Sequence, residues 1–365
     1  MNPGSVAITS GSVHAFYVFD VSNSVDMAAV RRLLGEEATL ATLADKAPGP
    51  PKIAYMQPPV VVPAEAAGSG AIDGFSTRVK FFDYGVISIM LSRPFAGAWD
   101  DLVRLGQELI ENEQLEDRAA LACRAVVTRV HEALGGVRAD FLREDYLAFV
   151  VNELDEPTDA DFVLERYGAE IAQMLRGERQ ALSRQEREEV LRHRLSYLVD
   201  DTVVPAYNAA FVLDTPAGAA ATLEALEAVN SQLLEFRYHD EALESELTQI
   251  YTELLKPPRL MERLVGRRST RAARRLQSLY IDVNELTDRL ENSVKLVGDV
   301  YLARLFSLAA ARLGLDAWKS NVEQKLRTLN DIYRFAIERT GMAQANLLEL
   351  VIVLILILEF AMVFR

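Results

Sequence analysis

Ser76–Phe95, STRVKFFDYGVISIMLSRPF, decides how the amino-terminal part of this chain folds. Its two apolar, β-branched runs flank Asp83-Tyr84-Gly85. Such runs suit strands, and a Gly beside an Asp suits a turn. The stretch is therefore either one long strand or a hairpin that turns at the glycine.

Working outward, Val13–Phe19 (VHAFYVF) reads as a strand. Asp26–Gly35 (DMAAVRRLLG) reads as a helix with an Asp cap and a closing Gly. After a loop rich in Pro and Gly, a strand is expected through Ile53–Val62. A helical stretch should run from about Trp99 to Leu134, with Leu102, Leu105, Leu109 and Ile110 on one face. Leu121, Ala125, Val126 and Val130 continue that face, and Gly135 and Gly136 end it. Asp145–Leu154 closes the series as a strand. The order β-α-β-β-α-β is that of a ferredoxin-like α/β sandwich.

The chain as a whole reads as α+β. An α/β domain occupies 1–155, and a mixed helix-strand segment over 156–215 completes it. In that segment RGERQALSRQEREEVLRHR suits a solvated helix face laced with i,i+4 pairs. Thr215 is placed to cap a helix that starts at Pro216. Long antiparallel helices follow over 216–345. Leu243, Leu247, Ile250 and Leu254, then Leu276, Leu279, Val283, Leu286, Leu290, Val294, Val297 and Tyr301, step by three and four, the seam of a helical hairpin or coiled coil. A third helix carries Val322, Leu326, Leu329, Tyr333 and Ile337 on one stripe.

The last segment, 346–365, is expected to be a transmembrane helix. Leu347–Phe364 would span about 27 Å as a helix, against a hydrocarbon core roughly 30 Å thick. Fourteen Leu, Ile, Val or Phe residues favour insertion by roughly 4 to 8 kcal/mol on an insertion scale. Glu349 near the entrance and Glu359 nearer the far end are the intramembrane polar residues. The body would then lie on the cytoplasmic side, since the amino terminus has no secretory signal.

Composition sets further bounds. The 365 residues carry a formal charge of −14, which repels phosphates and excludes DNA as a partner. One exception stands out. Between Lys256 and Arg275 the chain gathers Lys256, Arg259, Arg263, Arg267, Arg268, Arg271, Arg274 and Arg275 against the single acid Glu262. That island suits anionic membrane lipid, RNA, an acidic partner surface within an oligomer, or a merely solvated loop and helix start. Cys123 is the lone cysteine and sits among apolar neighbours, so neither a disulfide nor a thiolate cluster is expected. The four histidines form no ligand pair, and no metal or cofactor is expected.

FFDYGVISI at Phe81–Ile89, LDTP at Leu213–Pro216, NSVKLVGDVYLARLF at Asn292–Phe306 and WKSNVEQKLRTLNDIY at Trp318–Tyr333 stand in order before a closing LEL…LILILEF. Together they resemble the "required for meiotic nuclear division" family, over nearly the whole chain. The resemblance implies an α/β amino-terminal domain, a long helical region and a carboxy-terminal membrane segment, here in a bacterial inner membrane. It also implies large homo-oligomers and a link to translation, with the ribosome among the partners. No catalytic residues come with it.

Three functions compete, of which a channel or transporter, open to one span per chain only through oligomerisation, has Glu359 alone in its favour. Of the remaining two, one is a membrane-anchored homo-oligomeric scaffold without catalysis. The other is an enzyme or ligand sensor using a pocket in the α/β domain, with Asp20, Asp83, Tyr84 or Asp145 near strand ends. No phosphate loop, nucleophile elbow or acid pair at a telling spacing supports the second.

Overall fold

The computed structural model describes residues 6–40, 53–55, 57–70, 74–110, 112–255, 294–296 and 300–332, with positions 72, 281, 283, 334 and 353. The chain divides into two compact units: Met1–Phe236 with Arg289–Asp316, and Arg237–Asp288 with Ala317–Arg365.

The first unit is organised by a long strand, β1 (Ile8–Val25), whose residues 13–22 are buried without interruption. A strand loses the usual polar alternation when both faces of its sheet are covered. Asp26 caps α1 (Met27–Leu34), its carboxylate accepting from the Ala28 and Ala29 amides at 3.0 Å. Three short strands follow: β2 (Thr39–Leu40), β3 (Ile53–Tyr55) and β4 (Val60–Pro63).

The Ser76–Phe95 stretch forms a hairpin of β5 (Ser76–Phe81) and β6 (Val86–Gly97). Gly85 turns it at φ 108°, and a Cβ there would lie 1.8 Å from the Ser22 carbonyl oxygen. That same closeness lets the Gly85 carbonyl accept from the Val21 and Ser22 amides, which ties the hairpin to β1. After α2 (Trp99–Ile110) and α3 (Glu113–Arg129) comes β7 (Leu134–Leu154). Then α4 (Ala160–Arg176), α5 (Arg184–Arg192), β8 (Thr202–Pro205), β9 (Ala209–Leu213) and α6 (Pro216–Leu255) complete the sequence to the unit boundary.

The expected fold class is corrected here. The sheet has eight strands in the order β2-β4-β5-β6-β1-β7-β9-β8. It is mixed, because β7 and β9 pair in parallel while the other neighbours are antiparallel. The stretch β5-β6-β1-β7 has the split order of a ferredoxin-like sandwich, but four further strands extend it at both edges. Residues 134–143, placed in a helix end and loop by their glycines, are strand, because the end of β1 from Phe19 to Val25 offers them a partner, with a register shift between Asp20 and Ser22. The single helix expected from Trp99 is two. Its apolar stripe jumps from Leu109 to Leu115, a step that breaks the three-four cadence.

The main core lies between one face of the sheet and α1–α4. Val13, Ala15, Tyr17, Phe19, Phe149 and Phe211 pack there on Leu102, Val126, Val163 and Ile171. The opposite face is also buried and largely apolar, with Phe16, Val18, Met90, Tyr146 and Val150, but it carries a few embedded polar groups, and α6 lies across it. Thr215 accepts from the Gly218 amide at 3.2 Å and so caps the start of α6.

The continuous helical seam is also corrected. Val294 lies in β10 (Val294–Leu296), which pairs antiparallel with β3 (Ile53–Tyr55). Tyr301 opens α7 (Val300–Leu313) and is buried in the first unit. The rest of the seam from Leu276 on lies outside the described residues, apart from Val283. The protein is α/β in character rather than a coiled coil.

The second unit is described through the end of α6 and a further helix, α8, over 315–332. Lys325 donates to Asp240 Oδ1 at 3.0 Å and Glu244 Oε2 at 2.8 Å, and Leu243, Leu247, Ile250, Val322, Leu326 and Leu329 are buried.

The expectation of a single-pass membrane protein does not stand. No helix among the described residues is long and apolar enough to cross a membrane. α6 has the length, but Glu224, Glu227, Glu235 and Arg237 interrupt it. α7 is apolar enough to tempt, yet its 14 residues reach only ~21 Å. Leu347–Phe364, with Glu349 and Glu359, lies outside the described residues except for Val353.

Candidate functional site

Strand alternation divides the chemistry of this unit between two faces. While Val13, Tyr17 and Phe19 enter the apolar core, His14 and Asp20 on β1 turn to the side covered by α6. Lys80 on β5 and Arg138 on β7 join them. α6 answers with Glu224, Glu227, Ser231 and Glu235, whose spacing of three, four and four keeps them on one stripe.

Four sets of contacts result. Lys80 Nζ donates to Glu224 Oε2 at 2.6 Å and also to Glu227. The Tyr84 hydroxyl meets Ser231 Oγ at 2.5 Å. Arg138 Nε donates to Asp20 Oδ1 at 2.6 Å and Nη1 to Asn23 Oδ1 at 3.0 Å. Glu235 shares a hydrogen bond with Asp20, beside the same guanidinium. At the other end of the seam His14 lies between two hydroxyls, Ser12 Oγ on Nε2 and Ser92 Oγ on Nδ1, each at 2.8 Å.

Burial sets the protonation states. It pushes Glu235 up to about 8, against the opposing pull of Arg138 and of the Asp20 hydrogen bond, so this carboxyl holds its proton at pH 7. Burial, aided by Arg78, lowers His14 to about 4, leaving the imidazole neutral. Burial also pulls on the Lys80 ammonium, but Glu227 and Glu224 more than offset it and hold the group above its ordinary value. Two carboxyls sharing one proton are the arrangement of an acid–base pair. Here, however, Asp20 and Glu235 are both 0% exposed. In this geometry the cluster fastens α6 to the sheet.

Of the residues nominated as an enzyme site, the fold gathers only part. Asp20 and Tyr84 both join the seam. Asp83 sits in the β5–β6 turn, where its carbonyl accepts from the Val25 amide at 2.9 Å. Asp145 is exposed and stands opposite Tyr17 across the β1–β7 ladder. The α6 stripe was missed. Its signal was polar residues at helical spacing within an Ala- and Leu-rich helix, legible only once a sheet face is known to receive it. The basic island over 256–275 lies outside the described residues. Cys123 is buried, which pushes its thiol up and keeps it unreactive. Among the described residues no group of acids, His and Cys is arranged to hold a metal ion.

The accessible chemistry lies at the other end of the α/β unit. Between α5 and β8 the loop Ser196–Asp201 is held rigid by Asp201, which accepts from the Tyr197 amide at 2.7 Å and the Leu198 amide at 3.0 Å. The Val199 carbonyl accepts from the Ala160 amide, fixing the loop to the start of α4. Tyr197 meets the Tyr301 ring at 5.5 Å. The loop thus presents Leu198 at 58% and Val199 at 81% exposure, with Phe162 of α4 also exposed. Beside it, α4 and α5 enclose an open groove of about 550 Å³, floored by Leu164, Ala169 and Leu191 and rimmed by arginines.

Residues 10–220 match the family described as "Uncharacterized protein MJ0711, N-terminal domain". That span runs from β1 into the first turn of α6, so it includes Asp20, Lys80, Arg138 and the groove but not Glu224, Glu227 or Glu235. A relative from Methanocaldococcus jannaschii, "Uncharacterized protein MJ0711", is 24% identical over 221 residues. The alignment covers 60% of this chain and 66% of that protein, just under two thirds of its length. No solved structure matches.

Proposed function

The chain belongs to the family of the MJ0711 amino-terminal domain, a description that carries no activity, and from its geometry we propose that it is a non-catalytic scaffold that assembles with further copies of itself. The observation that carries this reading is the rigid apolar loop. Leu198 and Val199 face solvent on a backbone pinned at Tyr197, Leu198 and Val199. Fully burying a Leu or Val side chain contributes ~1.5–3 kcal/mol each, a gain the isolated chain forgoes. A pre-ordered surface also loses little conformational entropy on docking. The closed seam supports the same reading, since its ion pairs are engaged in holding α6.

Sedimentation of the full chain tests it. The parent should form a discrete assembly, and Leu198→Asp with Val199→Asp should lower its mass with the fold retained by circular dichroism. Identical masses for parent and variant would remove the scaffold reading.

The Asp20–Glu235 pair favours a second reading, an enzyme or sensor that works with α6 displaced. Turnover of a metabolite mixture, followed by mass spectrometry and lost on Glu235→Gln, would move the assignment there.

A further inference from the structure

We propose that the α4–α5 groove is a docking site for a short acidic segment of a partner protein, in which carboxylates alternate with apolar side chains. The proposal rests on reading this molecule as a non-catalytic scaffold and adds a partner of stated chemistry that such a scaffold would hold.

The groove's lining has four cations, Arg184, Arg187, Arg192 and Arg194, against Glu165 and Glu188. It is a positive site on a chain whose formal charge is −14. Two of the four guanidiniums are already engaged. Arg184 pairs with Glu188 at 2.7 Å, and Arg192 turns to Glu189 at 3.0 Å. Arg187 and Arg194 make no ion pair among the described residues. Among the described residues Arg194 donates only to the Leu191 carbonyl, at 3.3 Å. The Nε of Arg187 is shut off from solvent and has no hydrogen-bond acceptor among the described residues. Because that atom is closed to solvent it is closed to a ligand as well, so a docking carboxylate pairs with the guanidiniums through their terminal Nη groups, by short charge-assisted bonds.

The floor supplies the second half of the recognition. Gly168 lets α5 approach α4 closely: a Cβ there would fall 2.8 Å from Leu191 Cδ1. Half-buried Leu191 and exposed Ala169, with Leu164 buried behind them, form an apolar trough beside the arginines. α5 has nine residues, ~13 Å of helix, which matches about four residues of extended chain. An extended segment alternates its side chains with period two. Carboxylates on one side would reach Arg187 and Arg194 while apolar side chains on the other fill the trough. A lone phosphate would satisfy the arginines and leave the trough empty, so the floor decides for a peptide.

Fluorescence anisotropy on the full chain tests this with two labelled probes, a short peptide alternating Glu and Leu and its Lys-Leu counterpart. The acidic probe should bind, and rising salt should weaken it. Arg187→Ala with Arg194→Ala should weaken binding by about tenfold or more, and Arg187→Lys with Arg194→Lys by less. Unfolding curves of the variants check that the fold survives. Equal binding of both probes, no effect of the Ala pair, or full displacement by inorganic phosphate would each overturn the proposal. The loop variant Leu198→Asp with Val199→Asp separates the two readings. If the acidic probe fails to bind while that variant still dissociates the assembly, the groove assignment falls and the scaffold stands.

Discussion

Replacing Glu235 by Gln turns the buried acid pair into a measurable slope of stability against pH. Glu235 is fully buried and its carboxyl titrates at about 8 rather than at its ordinary 4.5. A raised folded value means that the folded protein holds a proton which the unfolded chain releases. Its contribution is complete below pH 4.5 and is lost as pH rises to about 8. At ~1.4 kcal/mol per pH unit the whole interval amounts to roughly 5 kcal/mol. His14 acts with the opposite sign. Its value falls from 6.5 to about 4, so its contribution is present above 6.5 and is lost as pH falls through that range. The two overlap below 6.5, which leaves pH 6.5–8 as the window where Glu235 titrates and His14 does not. There the parent should lose about 2 kcal/mol. Gln keeps the shape and cannot ionise, so the variant should hold its stability across the window. Urea unfolding of parent and Glu235→Gln at half-unit steps from pH 6 to 9 measures this. Parallel stability curves would refute the assignment of the proton to Glu235.

Arg138→Met strips Asp20 of its cation at a fully buried site and should cost about 3–5 kcal/mol in urea unfolding; a loss under ~1 kcal/mol would mean that Asp20 finds another partner at little cost. Gly85→Ala drives a Cβ into the Ser22 carbonyl and should destabilise by more than ~3 kcal/mol in the same assay, because the hairpin must part from β1. A near-neutral result there would show that the turn relaxes freely.

How much was legible depends on the range over which each signal acts. The turn in Ser76–Phe95, the Asp26 cap and the Thr215 cap each depend on residues within about four positions; the caps are readable as such, and the hairpin as one of two readings. The strand character of 134–143 is not, because its glycines signal a break and only the distant end of β1 makes a strand of it. Val294 fits a helical seam by spacing and a strand by pairing, and β3 decides for the strand. The candidate sites divide in the same way. Asp20 and Tyr84 are visible as polar residues near strand ends. Their partners Arg138 and Ser231 lie 118 and 147 residues away, beyond any spacing rule. The groove arginines were visible only as a charged helix face.

Sequence alone determined which segments prefer strand, helix or turn, because those preferences are settled by a residue and its near neighbours. It also determined the acidic balance and that no disulfide can close within these 365 residues. The eight-strand order, the pairing of buried charges between the sheet and α6, and the proton on Glu235 were decided only by tertiary structure. Pairing joins segments far apart in the chain, and burial changes what a charge costs. Neither term exists until the chain has closed on itself.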